Sequence, residues 1–170
     1  MTELCFRFAT LADVPRLRAL VESAYRGASA KRGWTHEADL LDGDRTSDDE
    51  LASLIADPDK RVLLAEDAIG ALAGSVNATN LGNGRAYMGM LCVDPELQSD
   101  GLGRALIAAI EAVAVREFAA SVMEMTVVDA RPELIAYYER RGYVRTPEVR
   151  PFPLPIAVPF AMAVLERAIG

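Results

Sequence analysis

Between Met88 and Arg104 the chain reads MGMLCVDPELQSDGLGR, and no other stretch limits the fold so sharply. An apolar run closes at Val93-Asp94-Pro95, and Gln98-Ser99-Asp100-Gly101-Leu102-Gly103 follows. Leu106, Ala109, Ile110 and Val113 then recur on one helical face. A strand, a glycine turn and a helix start in that order aim several backbone N–H groups at one point. The first amides of a helix lack internal partners and its dipole favours negative charge there, so the turn suits a phosphate. A ligand carrying a pyrophosphate is the expectation.

The spacing narrows the ligand. A P-loop needs Gly-Lys-Ser/Thr at its end, whereas Gly103 is followed by Arg104-Ala105. A dinucleotide fingerprint needs a third glycine where Leu106 stands. What remains, Q-x-x-G-x-G after V-D-P, resembles the GNAT superfamily of acyl-CoA-dependent N-acetyltransferases. A second segment, Leu134-Ile135-Ala136-Tyr137-Tyr138-Glu139-Arg140-Arg141-Gly142-Tyr143, is similar to that family's A-x-x-x-Y-x-x-x-G-F, with Tyr143 in place of Phe. Each motif alone is common. In order, with Tyr138 placed 35 residues after Gly103, they form a specific pair.

Length and composition set outer bounds. A chain of 170 residues suffices for one domain with a real core, so residues 1–170 are read as a single unit. No apolar run approaches the ~18 residues of a membrane span. The start, MTELCFRFAT, lacks the basic region and long apolar stretch of a signal peptide, which makes cytoplasmic the expected location. Cys5 and Cys92 imply neither a disulfide framework nor a metal site. A net charge of −7 argues against a nucleic-acid partner and is compatible with a cationic amine.

Local signals order the elements. Cys5 to Ala9 alternates like a strand, and Thr10 with Asp13 forms a capping box opening a helix that buries Val14, Leu17, Val21 and Ala24. Gly27 is its expected stop. A polar connection over 28–45 leads to Ser47 and Glu50, a second capping box, and Asp57-Pro58 ends that short helix. Arg61 to Glu66 and Ile69 to Ala78 read as strands joined by a tight turn at Asp67-Ala68. Asn80-Leu81-Gly82-Asn83-Gly84 reads as a hairpin turn into the strand before the glycine motif. Val122 to Val128 is a further strand, and Pro132 opens a helix that runs to about Arg141 and stops at Gly142. Prolines at 151, 153, 155 and 159 forbid a central strand there, leaving a loop between two strands, the last covering about Ala161 to Glu166.

The resulting order, β-α-α-β-β-β-α-β-α-β-β, predicts an α+β domain. The resemblance implies a mixed, mostly antiparallel central sheet flanked by helices and splayed between its central strands. It also implies acetyl-CoA as co-substrate, inserted in the splay. The main chain of Leu91, Cys92 and Val93 would pair with the pantetheine arm. Amides from Ser99, Asp100, Gly101, Leu102, Gly103 and Arg104 would grip the pyrophosphate. Tyr138 matches the motif tyrosine, whose hydroxyl would protonate the leaving thiolate. Its unperturbed pKa near 10 keeps it protonated at neutral pH. Tyr137 is set about 100° away on the helix and does not share that role.

Two positions depart from the family pattern. Arg131 stands where many relatives carry Asn, and it would reach the cofactor phosphates or face solvent. Tyr87 and Thr126 occupy positions where some relatives place a glutamate base. Glu124 shares a face with Thr126 and is a fallback candidate, but no base is assigned. The need is real, since an alkylamine is neutral only about once in two thousand molecules at pH 7, roughly 4–5 kcal/mol of barrier. The connection around Trp34, His36 and Glu37 would border the acceptor, with Trp34 and Glu37 as substrate-binding candidates. The expected activity is acetyl transfer to a primary amine of a small molecule or peptide. The alternative is a non-catalytic acyl-CoA-binding or sensing module. No metal is expected, no membrane or nucleic-acid partner either, and a homodimer is left open.

Overall fold

A computed structural model describes residues 3–25, 46–152 and 159–170. Seven strands form one sheet: β1 (Cys5–Phe8), β2 (Lys60–Glu66), β3 (Leu72–Gly82), β4 (Arg85–Val93), β5 (Val122–Val128), β6 (Val144–Arg150) and β7 (Met162–Ala168). Their spatial order is β1-β2-β3-β4-β5-β7-β6. Every neighbouring pair is antiparallel except β4 and β5. Four α-helices are described: α1 (Val14–Tyr25), α2 (Asp48–Ala56), α3 (Leu102–Phe118) and α4 (Pro132–Glu139). This is the mixed, mostly antiparallel α+β arrangement expected of the chain.

The unbroken apolar run Val62-Leu63-Leu64-Ala65 in β2 marks a strand buried on both faces. Val62 and Leu64 join one core cluster with Val14, Leu17 and Val21 of α1 and Leu51 of α2. Leu63 and Ala65 join the other, with Leu106, Ile107 and Ile110 of α3 and Ile135 and Tyr138 of α4. Gly74 sets how closely α3 approaches β3, because a Cβ there would lie 2.8 Å from Leu106 Cδ1 and 3.0 Å from the Cys92 carbonyl. That packing fixes the height of the α3 N-terminus above the sheet.

The turns refine the sequence reading. The β2–β3 connection is longer than an Asp67-Ala68 turn. Asp67 Oδ1 accepts from the amides of Ile69 and Ala71, Gly70 takes φ +83°, and β3 begins only at Leu72. The β3–β4 turn is tighter than Asn80–Gly84, with Asn83 and Gly84 both at positive φ between paired strands, as a two-residue hairpin requires. Helix α4 ends at Glu139, two residues before the expected Arg141. Strand β6 carries Pro147 on the sheet edge, where a missing N–H costs no ladder bond. Gly27 lies outside the described residues. Tyr143, in the motif's Phe position, is buried, and its hydroxyl donates to Glu111 of α3 at 2.7 Å. Arg167 meets the other oxygen of that carboxylate at 2.7 Å.

The first capping signal does more than start a helix. Asp13 accepts the Thr10 amide at 2.7 Å, closing a 3-10 turn (Leu11–Asp13) that runs into α1. Its carboxylate also receives both terminal nitrogens of Arg7, at 2.9 and 2.8 Å, and Arg16 at 2.9 Å. Arg7 and Arg16 both reach Glu66 as well, so one carboxylate on each side ties β1, β2 and α1 together. Hydrogen bonding from Arg7 is the main reason that the buried Asp13 carboxyl is held well below the usual carboxylate range, and the same arginine lowers Glu66. Ionisation is therefore easier in the folded state. The stabilisation is complete above the ordinary value and is lost as pH falls below it. Asp13→Asn is expected to cost about 2 kcal/mol at pH 7. Urea midpoints at pH 7 and pH 3 should then differ less for the variant than for the wild type.

Candidate active site

The two parallel strands part company almost at once. β4 and β5 pair only over Arg85–Tyr87 and Val122–Glu124, and beyond these residues the ladder between them stops. A bulge lies just past the parting point. Across β3, Ser75 faces Cys92 and Asn77 faces Gly89, so β4 carries one extra residue, and Met90 sits at φ +49°. Such a bulge bends a strand and re-aims its polar groups. The Cys92 thiol packs away on the α1 side, donating to the Met90 carbonyl at 3.3 Å and lying 3.2 Å from Ser75 Oγ. The Cys92 side chain is thus turned away from the gap, and its backbone pairs with Ser75 of β3. The gap is a cavity of about 140 Å³, whose walls include Tyr87, Leu91, Thr126, Arg131 and Tyr138.

At one end of β4 stands the glycine turn. Asp94 Oδ1 accepts the Glu96 amide at 3.0 Å and starts a 3-10 turn over Pro95–Asp100. Gly101 then takes φ +76°, a left-handed conformation that a side chain would strain, and α3 begins at Leu102. The first intrahelical bond runs from the Ala105 amide to the Gly101 carbonyl, so the amides of Leu102, Gly103 and Arg104 precede it. Arg104 is exposed and Leu102 buried. The backbone of Ser99 and Asp100 closes the 3-10 turn, and their side chains lie outside the described residues.

Tyr137 belongs to this turn, which the sequence reading missed. A Cβ on Gly103 would lie 2.7 Å from Tyr137 Oη. Arg141 stacks over the same ring, with its guanidinium carbon 4.0 Å from the centroid. The 100° step that separates Tyr137 from Tyr138 sends one hydroxyl to the glycine turn and the other to the gap. That helical step was the available signal: it excluded Tyr137 from one site without asking what else its face would meet.

Tyr138 lines the gap, with its ring edge-on to Tyr137 at 5.2 Å and to Tyr143 at 6.2 Å. Burial pushes its phenol well above the usual tyrosine value, so the proton is firmly held at neutral pH. Among the described residues its hydroxyl has no hydrogen-bond partner. Arg131 does not face solvent: it is 8% exposed, lines the gap, and its Nε donates to Glu133 Oε1 at 2.6 Å. Glu124 is occupied elsewhere, with Arg85 3.5 Å from one oxygen and Arg150 2.7 Å from the other, the latter an ion pair short of hydrogen-bond geometry. It joins β4, β5 and β6 and is poorly placed to act as a base. Tyr87 and Thr126 meet, hydroxyl to hydroxyl, at 2.7 Å. Trp34, His36 and Glu37 lie outside the described residues.

The family model of the GNAT acetyltransferases matches residues 18–143. No curated protein matches the chain in sequence. Among solved structures, a spermidine N-acetyltransferase from Vibrio cholerae in complex with CoA and spermine superposes with a TM-score of 0.72 at 20% identity, over 98% of this chain and 95% of that one. A candidate acetyltransferase from Salmonella typhimurium with acetyl-CoA gives 0.72 at 17% identity, over 99% and 95%. One from Acinetobacter baylyi gives 0.76 at 13%, over 99% and 94%. At these identities the likeness is one of fold.

The close approach at Gly103 makes a measurable prediction. Gly103→Ala should destabilise the wild type, because the new methyl meets a hydroxyl held in place by the Arg141 stack. In a Tyr137→Phe background the nearest ring atom is 3.8 Å away, and the same change should recover a helix-propensity gain of up to about 1 kcal/mol. A double-mutant cycle on thermal or urea unfolding should therefore show coupling of about 1–2 kcal/mol.

Proposed function

The chain belongs to the GNAT acetyltransferase family, and on that premise we propose that it transfers an acetyl group from acetyl-CoA to a primary amine of a small molecule or peptide. The observation that carries the reading is the Tyr138 phenol, buried, protonated and without a partner among the described residues, in the wall of the gap between β4 and β5. The gap fits the donor on its own terms. Beyond Tyr87 and Glu124 no backbone ladder joins its strand walls, and the turn at its end has a glycine where a Cβ would press on Tyr137. The bound coenzyme A and spermine of the Vibrio cholerae protein support the same reading for this chain.

In this mechanism the main chain of Leu91, Cys92 and Val93 holds the pantetheine arm, and the amides from Ser99 to Arg104 hold the pyrophosphate. Arg131, buried in the gap, adds positive charge on the donor side where relatives use an amide. The acceptor nitrogen attacks the thioester carbon, a C–N bond forms and the C–S bond breaks. Tyr138 gives its proton to the departing sulfur. The proton lost from nitrogen balances the account, so neutral amine and thioester yield amide and thiol. Trp34 and Glu37 remain the candidates for holding the rest of the acceptor.

Calorimetric titration with acetyl-CoA and thiol release across a panel of amines and peptides test the proposal. Tyr138→Phe should lower kcat by about 10²-fold or more, the usual contribution of a placed general acid. Acetyl-CoA affinity should stay within about threefold, since the phenol serves the leaving group and not the binding. Unchanged turnover in the variant would exclude Tyr138 from the chemistry.

A further inference from the structure

The gap between β4 and β5 is bridged at one point. Tyr87 is the last β4 residue paired with β5, and its hydroxyl lies 2.7 Å from Thr126 Oγ1 on the diverging strand. Both side chains line the cavity. The ring of Tyr87 lies along β4 because residue 89 is glycine: a Cβ there would meet Tyr87 Cε1 at 3.2 Å and Asn77 Oδ1 at 3.0 Å. Asn77 is 5% exposed, and no hydrogen bond joins its side chain to any described residue. A strip of neutral polar groups thus crosses β3, β4 and β5 at the parting point.

Among the described residues, the charged groups around this strip are engaged or stand on the donor side. Glu124, one turn of the pleat before Thr126, is held by Arg85 and Arg150. Arg131 lines the cavity from the start of α4, and Tyr138 lines it from the middle of that helix. The Cys92 thiol is turned to Ser75 and the Met90 carbonyl. Among the described residues lining the cavity there is no carboxylate.

We propose that the Tyr87–Thr126 hydroxyl pair receives the attacking nitrogen of the acceptor, and that it receives it as the free amine. Two hydroxyls bonded to each other share one proton and keep a second proton and several lone pairs. A lone pair accepts an N–H and turns the nitrogen lone pair toward the thioester carbon. Neutral hydroxyls offer an ammonium ion neither a countercharge nor a group basic enough to take its proton. The acceptor therefore sheds that proton before it is bound. One N–H proton then leaves nitrogen as the C–N bond forms, matching the proton that Tyr138 gives to sulfur.

This inference rests on the acetyl-transfer reading, and its test separates the two. With saturating acetyl-CoA, kcat/KM is measured against pH for an amino-acid amide and for an alkylamine, whose amines titrate near 8 and near 10.4. Each profile should climb about tenfold per pH unit to a break at the acceptor's own pKa, so the amide levels off near pH 8 while the alkylamine still rises at pH 9.5. Tyr87→Phe and Thr126→Val should each lower kcat/KM for the amine at least tenfold, with acetyl-CoA affinity in calorimetry moved by no more than about threefold, although both residues line the gap. The double variant should be little worse than the poorer single one, and Thr126→Ser should recover most of the activity.

A break at one common pH for both acceptors would overturn the proposal, because it would reveal a base on the enzyme. So would variants that lose thermal stability while amine kinetics stay intact, which would make the pair a structural clip. If the wild type binds no acetyl-CoA at all, the donor reading falls and takes this one with it. Intact binding with insensitive kinetics sinks the hydroxyl pair alone.

Discussion

Everything at this site follows from three residues of parallel pairing. β4 and β5 hold each other only from Arg85 to Tyr87, and the antiparallel ladders on either side keep them from drifting apart as a unit. The strands diverge beyond that point because β4 bulges at Met90 and bends away. Parting leaves strand edges inside the domain that the protein does not join to each other. Exposed edges invite pairing with an extended chain, and a pantetheine arm with its two amides is such a partner. The helix mouth at Gly101–Arg104 stands at the end of the same strand, held at its height by Leu106 against Gly74.

The chemistry divides across that opening. On the α4 side, burial keeps a phenol protonated, which suits a proton donor to sulfur and disqualifies it as a base. Among the described residues the polar groups at the parting point are hydroxyls and an amide, and the Glu124 carboxylate nearby is spent on two arginines. On the proposed reading, pre-organised neutral groups meet the acceptor and the amine loses its extra proton in water. The roughly 4–5 kcal/mol that protonation costs an alkylamine at pH 7 is then a property of the acceptor.

The legible parts of the molecule were those written in contiguous residues. The Thr10–Asp13 capping box, the Ser47 N-cap, Asn83-Gly84, the glycine turn and the apolar run of β2 each act over a few positions, and each appears where its local physics places it. At Ser47 only half of the expected box forms, its side chain accepting the Glu50 amide while the Glu50 carboxylate takes the Thr46 hydroxyl. The groups that escaped sequence reasoning are joined across long separations. Arg7 meets Glu66 and Glu111 meets Arg167 through tertiary packing alone. The bulge at Met90 had only Gly89 beside it as a signal, and the positive φ falls on Met90 and not on the glycine. Glu124 reads as a free acid in the strand, and its arginines come from β4 and β6. Tyr137 was visible as a motif neighbour, but its target, Gly103, is a position whose importance is the absence of a side chain.

The central claim is that the opening between β4 and β5, with the α3 turn at its end, is where the donor lies. Amide hydrogen exchange with and without acetyl-CoA tests it most directly, because it reads the backbone groups said to do the holding. The account requires added protection at Met88–Val93 and at Leu102–Arg104 when the ligand is present. Protection appearing only at other segments, or none at saturating ligand, would contradict it.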